Sequence, residues 1–231
     1  MTSNSVFTPL TNFTGEIGSG FVEFLENLDK SNPILIALGG GNTPKQYNKK
    51  IVEILKREET QIDFRNVFFT VTDDRHVPLN HCQSNSGMLL ETLLRPLGIV
   101  EHFIFPRYVS NLNDYCQSFK TQLDNFKGQR ALALLGVGSD GHTASLYPGR
   151  QIPMFELNQV VKVPCGHDGL ARVSLSLEYL SGFAEKWFLA NGESKLEAVK
   201  SSLQREPSEN PIRQLVTANS KIFTEDMSND L

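Results

Sequence analysis

The chain lacks several features that mark particular classes of protein. It has only three cysteines in 231 residues, and Cys82, Cys116 and Cys165 form no CxxC or Cys/His ligand pattern. Because their number is odd and their spacing is wide, neither a disulfide framework nor a structural zinc site is expected, and a reducing compartment suits this usage. No apolar run approaches the roughly 20 residues that a membrane helix needs.

A surplus of basic charge is also missing. The 22 lysines and arginines are outnumbered by 26 aspartates and glutamates, which gives a formal net charge of −4. Nucleic acids and anionic membranes are therefore not expected as partners, and an anionic ligand needs a locally positive site. Residues 1–5 have neither the basic nor the apolar segment of a secretion signal. We expect a cytoplasmic protein, monomeric or weakly dimeric, that acts on a small molecule.

The length and apolar content are those of one α/β domain. With 39% hydrophobic and 21% charged residues, residues 1–231 are predicted to form a single domain around one core. Short apolar runs predict strands at 34–38, 67–71, 131–134, 160–163, 173–175 and 187–190. Helical spacing and capping residues predict helices at 44–55, 86–94, 178–180 and 192–203. This alternation predicts a three-layer α/β/α fold with a doubly wound, mainly parallel, Rossmann-like sheet, and the polar tail 225–231 is expected to fray.

Three consecutive glycines, Gly39 to Gly41, end the first predicted strand. Thr43 is the predicted N-cap of the next helix, and Pro44 suits its first position. Glycines allow close backbone approach and a helix N-terminus presents unpaired N–H groups, so this loop suits a phosphate. The same residues also suit a tight strand-to-helix turn with an ordinary threonine cap. The P-loop pattern GxxxxGK[ST] is absent, which argues against a nucleoside triphosphate.

A second glycine-rich loop, residues 135–149, follows the strand at 131–134. Residues 136–141 match GxGxxG, but Pro148 and Gly149 interrupt the helix that a dinucleotide site requires. Val160 and Val161 occupy the position expected for the acidic residue that binds ribose. We therefore reject the dinucleotide interpretation.

His142 in this loop is the predicted catalytic residue. Histidine is the side chain that titrates nearest neutrality, and Asp140, two residues earlier, is placed to orient it or to stabilise its cation. The alternative is a turn histidine whose hydrogen bonds are satisfied locally. The other four histidines, His167 among them, have no such context and are expected to be ordinary polar residues.

Charged residues follow a third strand end, at Asp73, Asp74 and Arg75. Carboxyl ends of parallel strands share one edge of a sheet, so this turn is expected beside the two glycine loops. Arg75 is then placed to bind phosphate or to stabilise developing negative charge on oxygen. A solvated cluster of ion pairs is the alternative. Arg172 and Lys195 are further cations expected near this edge, although each alone is typical of a surface charge.

Together these motifs resemble the 6-phosphogluconolactonase family, within a larger group that includes glucosamine-6-phosphate deaminase. The resemblance is carried by residues 38–44, 72–78 with Ser84 and Asn85, and 136–149, with weaker similarity at 172–175 and 192–195. It implies hydrolysis of 6-phospho-glucono-1,5-lactone to 6-phosphogluconate in the oxidative pentose phosphate pathway, without metal or organic cofactor.

The resemblance also implies roles for individual residues. His142 would be the base that activates water, Asp140 its orienting partner, and Arg75 an electrostatic stabiliser or phosphate contact. Substrate and phosphate binding would fall to Gly40, Gly41, Asn42, Thr43, Lys195, Arg172 and Asp73. Asn42 replaces the more usual serine and Asp74 the more usual glutamate, changes that bear on affinity more than on reaction type.

The sequence also leaves two alternative functions open. The deaminase branch carries a glutamate before the proline of its Asp-Gly-His loop, where this chain has Tyr147. A non-catalytic sugar-phosphate sensor would need the phosphate site but not the base, and the presence of Asp140 and His142 favours an enzyme. Related chains usually end in a strand followed by a helix, whereas residues 221–226 lead only to a polar tail, which leaves the last element open.

Overall fold

The computed structural model describes residues 6–57, 61–149, 159–206 and 210–225. Its strands, in chain order, are β1 (Val6–Leu10), β2 (Ile34–Leu38), β3 (Val67–Val71), β4 (Asp73–Arg75), β5 (Phe103–Ile104), β6 (Gln129–Gly136), β7 (Val160–Val163), β8 (Arg172–Leu175), β9 (Glu185–Ala190) and β10 (Ser220–Glu225). Its α-helices are α1 (Phe13–Asn27), α2 (Asn42–Leu55), α3 (Asn85–Leu89), α4 (Arg95–Leu97), α5 (Leu112–Asn125), α6 (Leu177–Ser181), α7 (Glu193–Gln204) and α8 (Pro211–Leu215). A π-helical turn at Leu90–Leu94 joins α3 to α4, and a 3-10 turn lies at Val100–His102.

Seven strands form a parallel sheet in the spatial order β1-β10-β9-β6-β2-β3-β5, and β4, β8 and β7 form a smaller antiparallel sheet. Helices α1 and α2 pack together, and so do α7 and α8. The crossovers that contain these two pairs run in opposite directions across the sheet, so right-handed connections place the pairs on opposite faces. The predicted α/β class with a mainly parallel sheet is confirmed.

The central strands of the parallel sheet are buried on both faces. Every residue of β2 is buried, as are residues 131–135 of β6. Strands that are covered on both faces have continuous apolar sequences, which is why β2 and β6 were predicted from the sequence. No described helix has the length and apolar character needed to cross a membrane. A single domain over residues 1–231 stays a prediction.

Two of the predicted strands lie in the smaller sheet, outside the parallel one. β7 and β8 pair antiparallel, and β4 extends them, with Asp73 opposite Ser174 and Arg75 opposite Arg172. The connection between β7 and β8, residues 164–171, is too short for the crossover that parallel strands require, so the two strands form a hairpin. Residues 73–75, predicted to be a turn, are therefore a strand.

Two predicted boundaries are wrong. Gly41, not Thr43, is the N-cap of α2, because its φ of +111° is one that glycine adopts at little cost and helical geometry begins at Asn42. Glu225 is not frayed but pairs with Leu10 in the sheet, and residues 226–231 of the predicted tail lie outside the described residues. The closing strand that the sequence left open is β10, which lies between β1 and β9.

The chain reverses its direction across the sheet between β2 and β6. From β2 it passes to β3 and β5 on one side, and from β6 to β9 and β10 on the other. In open α/β sheets, ligands bind outside the carboxyl ends of the strands at such a reversal. The glycine loop at 39–41 follows β2 and the loop at 137–149 follows β6, so the two loops flank the expected crevice.

Candidate active site

The loop after β6 presents a hydrogen-bonded pair, Asp140 and His142. Oδ1 of Asp140 accepts from the backbone N–H of His142 at 3.1 Å and lies 2.5 Å from its Nδ1. Burial raises the pKa of Asp140, but the hydrogen bonds from His142 outweigh burial and hold that pKa below its usual value. Because a carboxylate only accepts hydrogen bonds, Nδ1 carries a proton and the neutral imidazole has its lone pair on Nε2.

Glycines give this loop the space that the pair occupies. A Cβ on Gly138 would lie 2.1 Å from Nδ1 of His142 and 2.6 Å from Oδ1 of Asp140. Gly141 has a φ of +84°, and a Cβ there would lie 2.9 Å from Oγ of Ser202 in α7. With glycine at these two positions the loop fits between the Asp140–His142 pair and α7 without displacing their side chains.

The smaller sheet brings two arginines together beside this loop. Arg75 and Arg172 are opposite each other across β4 and β8. Oδ2 of Asp168 lies 2.6 Å from a terminal nitrogen of Arg172 and 3.7 Å from Nε of Arg75. The side chains of Arg75 and Arg172 are 22% and 8% exposed. They are thus largely desolvated, unlike the solvated ion-pair cluster that was the alternative expectation for this segment.

Asp73 lies next to Arg172 and is buried. Its Oδ2 accepts from the hydroxyl of Ser145 at 2.5 Å and lies 3.7 Å from a terminal nitrogen of Arg172. Thr72 donates to its Oδ1 at 3.2 Å. This carboxylate therefore connects the loop after β6 to the smaller sheet, and its predicted contact with substrate stays a prediction.

The triple-glycine loop reaches the arginine cluster through Asn85. A Cβ on Gly40 would lie 1.8 Å from Oδ1 of Asn85, and that oxygen accepts from Arg75 at 2.5 Å. The amide nitrogen of Asn85 donates to the backbone carbonyl of Asp73 at 2.8 Å. Asn85 belongs to one of the sequence motifs, but the motif alone predicts no role for it. Asn85, which is buried, therefore links the loop after β2 to the segment after β3.

The remaining predicted binding residues lie on helix N-termini at the same edge of the sheet. Gly41 and Asn42 begin α2, and Thr43 is partly exposed in its first turn. Lys195 lies in the first turn of α7, which follows β9, the neighbour of β6. Among the described residues, Lys195 has no carboxylate partner.

Two residues at the site were missed by the sequence analysis, His167 and Asp168. Both lie on the connection between β7 and β8. Nε2 of His167 is 2.8 Å from Oδ2 of Asp140, and Asp168 pairs with Arg172 as described above. His167 is thus more than the ordinary polar residue that was expected. No local pattern marks it, because its partner lies 27 positions earlier in the chain.

Among the described residues, one group has metal-ligand atoms close enough together to hold an ion, all within 4.8 Å of one another. Its members are Asp140, His142 and His167. The carboxylate lies between the two rings at hydrogen-bond distances from both. A metal would have to replace both hydrogen bonds, and we assign none.

Asp74 is a buried structural carboxylate at the start of α3. It accepts hydrogen bonds from the backbone N–H groups of Arg75, Asn85 and Ser86 at 2.8, 2.7 and 3.0 Å. Burial raises its pKa to about 6, although the hydrogen bonds from Ser86 and Asn85 oppose that change. Asp74, which is 1% exposed, therefore orders the backbone next to the arginine cluster.

The pKa of Asp74 predicts a pH-dependent effect on stability. Its folded-state pKa lies above the unfolded value, so folding is favoured by protonation at low pH and this contribution is lost as the pH rises toward 6. Asparagine does not titrate. The free energy of unfolding of Asp74→Asn, relative to wild type, is therefore expected to increase by about 2 kcal/mol between about pH 4.5 and about pH 7. Urea unfolding at both pH values measures this difference, and a difference independent of pH would contradict the assignment.

Comparison with known proteins gives a consistent result. The family model for glucosamine-6-phosphate isomerases/6-phosphogluconolactonases matches residues 15–224. A 6-phosphogluconolactonase of Haemophilus influenzae is 30% identical over 191 residues, which cover 81% of this chain and 81% of the relative. One from Thermotoga maritima is 26% identical over 186 residues, 78% of this chain and 79% of the relative.

Solved structures share the fold. The crystal structure of the Thermotoga maritima 6-phosphogluconolactonase superposes with a TM-score of 0.82 at 22% identity, covering 95% of this chain and 98% of the other. That of a 6-phosphogluconolactonase from Shewanella baltica gives 0.81 at 20% identity, covering 96% and 98%. The family match extends over nearly the whole described chain, including all three motif loops. This chain therefore belongs to the glucosamine-6-phosphate isomerase/6-phosphogluconolactonase family.

Proposed function

We propose that this protein hydrolyses 6-phospho-glucono-1,5-lactone to 6-phosphogluconate, as a step of the oxidative pentose phosphate pathway. The observation that carries the proposal is the Asp140–His142 pair at the carboxyl edge of β6, directly across the sheet reversal from the triple-glycine loop. Relatives that are named 6-phosphogluconolactonases support the choice of substrate. Cytoplasmic location, a monomeric or weakly dimeric state and the lack of nucleic-acid partners stay predictions.

His142 acts as the general base in this proposal. Its Nε2 removes a proton from water as the water oxygen attacks the lactone carbonyl carbon. The carbonyl oxygen becomes an oxyanion, and Arg75 stabilises that charge. The ring C–O bond then breaks and the ring oxygen takes the proton from His142, which yields the hydroxy acid. Asp140 stabilises the imidazolium during these two steps, so neither a covalent nucleophile nor a metal is needed.

The phosphate of the substrate binds at the other side of the crevice. The N–H groups of Gly40, Gly41, Asn42 and Thr43 at the start of α2 supply hydrogen-bond donors, and the helix N-terminus favours negative charge. Lys195 supplies a formal charge from α7. Arg172, which is already paired with Asp168 and Asp73, contributes to the positive potential of the crevice. This division leaves His142 at the lactone end of the substrate.

Lys195→Ala tests the phosphate site. Loss of a charge-assisted contact to phosphate is expected to raise KM roughly 10- to 100-fold, with kcat changed by less than about twofold, because the phosphate is bound equally in the ground and transition states. Lys200→Ala is the matched control, since Lys200 lies on the same helix and pairs with Glu197 at 2.8 Å. Steady-state measurement of kcat and KM for both variants tests this expectation. A fall in kcat at unchanged KM would place Lys195 at the reacting end instead.

The activity itself is tested with freshly prepared lactone near neutral pH, coupled to 6-phosphogluconate dehydrogenase, with spontaneous hydrolysis subtracted. A rate well above background is expected. Binding of 6-phosphogluconate without hydrolysis would favour the sugar-phosphate sensor. Ammonia release from glucosamine 6-phosphate would favour the deaminase, but Tyr147 holds the position where that branch has a carboxylate, and its ring packs against His142 at 5.0 Å between centroids.

A further inference from the structure

Asp140 lies between two imidazoles, a feature that the proposed reaction does not use. Its Oδ1 is 2.5 Å from Nδ1 of His142 and its Oδ2 is 2.8 Å from Nε2 of His167. The two rings are 5.9 Å apart, and the ring of Tyr147 packs against both, at 5.0 and 4.6 Å. One carboxylate and one aromatic ring therefore couple the two histidines.

The backbone holds His167 in this position. N–H of Gly166 donates to the carbonyl of Leu170 at 2.8 Å, and Gly169 has a φ of +79°, so residues 166–170 form a closed turn. Asp168, which directly follows His167, forms an ion pair with Arg172 at 2.6 Å. A Cβ on Gly166 would lie 2.4 Å from Nε of Arg172, so the absence of a side chain lets the turn approach this arginine. The contact between His167 and Asp140 is thus built into the hairpin.

We propose that His167 is a positioning residue for the Asp140–His142 pair. This inference rests on the proposed function. By donating from Nε2 to Oδ2, His167 orients the carboxylate so that Oδ1 faces His142.

Two substitutions test the orienting effect. His167→Gln keeps an N–H donor, so we expect its kcat and KM to stay within about twofold of wild type. His167→Ala removes the donor, so we expect kcat to fall roughly three- to tenfold while KM changes by less than about twofold. His81→Gln, at an exposed histidine outside the Asp140–His142–His167 group, is the control and is expected to match wild type. Equal kcat in His167→Ala and wild type would overturn the inference.

A second measurement keeps this inference separate from the proposed function. The NMR signal of the Nδ1–H proton of His142, recorded without substrate, is expected to exchange with water faster in His167→Ala than in wild type or His167→Gln. Equal exchange rates in the three proteins would overturn the inference even if the enzyme is active. Faster exchange in His167→Ala, in a protein without lactonase activity, would support the positioning role and refute the proposed function. His167 is half exposed, so both variants are expected to fold.

Discussion

His142→Ala is expected to lower kcat for lactone hydrolysis by about 10²- to 10⁴-fold, which is the typical contribution of a general base. The residual rate would come from binding and from stabilisation of the oxyanion by Arg75. Affinity for 6-phosphogluconate is expected to change by less than about threefold, because the phosphate binds at the start of α2 and at Lys195, across the crevice from His142. Single-turnover kinetics measure the first effect and isothermal titration calorimetry the second.

The control for this variant is His76→Ala. His76 is also partly exposed and hydrogen-bonded, with Nε2 2.7 Å from the carbonyl of Val109, but its ring packs against Tyr108 and Tyr115 and not against the Asp140–His142 pair. It is expected to keep the wild-type rate. If His142→Ala hydrolyses lactone as fast as His76→Ala, the imidazole of His142 is not the base. If it loses both hydrolysis and product binding, the histidine contributes to the phosphate site and the proposed division of the crevice is wrong.

The parts of the site that sequence reasoning located are those with local signals. Each of the three motif loops directly follows a buried strand, and the glycines or charged residues stand at the strand end. Because parallel strands have their carboxyl ends at one edge, the sequence predicted that the three loops share that edge. The Asp140–His142 contact was predictable because the two residues are only two positions apart in the chain.

The parts that were missed depend on long-range pairing. Arg75 and Arg172 were both expected at this edge, but their pairing was not. They are opposite each other only because β4 joins an antiparallel hairpin, and a mixed-charge segment such as 73–75 has no strand propensity of its own. His167 and Asp168 reach the site through the same hairpin. Their positions depend on which edge of the smaller sheet pairs with β4, information that a single sequence without the tertiary contacts does not contain.

Helices α1 and α5 were missed although their signals are present. In α1 the N-cap Asn12 accepts from N–H of Gly15, and buried apolar residues recur every four positions. In α5 the N-cap Asn111 accepts from two backbone N–H groups, and Tyr115, Phe119 and Leu123 repeat the same spacing. These are ordinary cap and periodicity patterns. Both helices are therefore predictable from local sequence alone, unlike the pairing of the smaller sheet.

Gly138→Ala is expected to lower kcat/KM by about 100-fold without removing any functional group. The added Cβ would lie 2.1 Å from Nδ1 of His142 and 2.6 Å from Oδ1 of Asp140, so the two side chains must move apart. Displacing catalytic groups by about 1 Å is enough for a loss of about 10²-fold. The side chain of His142 is 29% exposed and can move toward solvent, so the melting temperature is expected to change little.

Gly136→Ala is the matched control for this substitution. Gly136 lies two residues earlier at the end of β6, and a Cβ there would meet nothing within 4 Å. Its kcat/KM is expected to stay within about threefold of wild type, since an exposed strand position tolerates alanine. Equal activity of the two variants would show that catalysis does not require the hydrogen-bonded geometry of Asp140 and His142. A large loss in Gly138→Ala alone, with product binding retained, would tie the rate to that geometry, because the substitution changes only the space that the pair occupies.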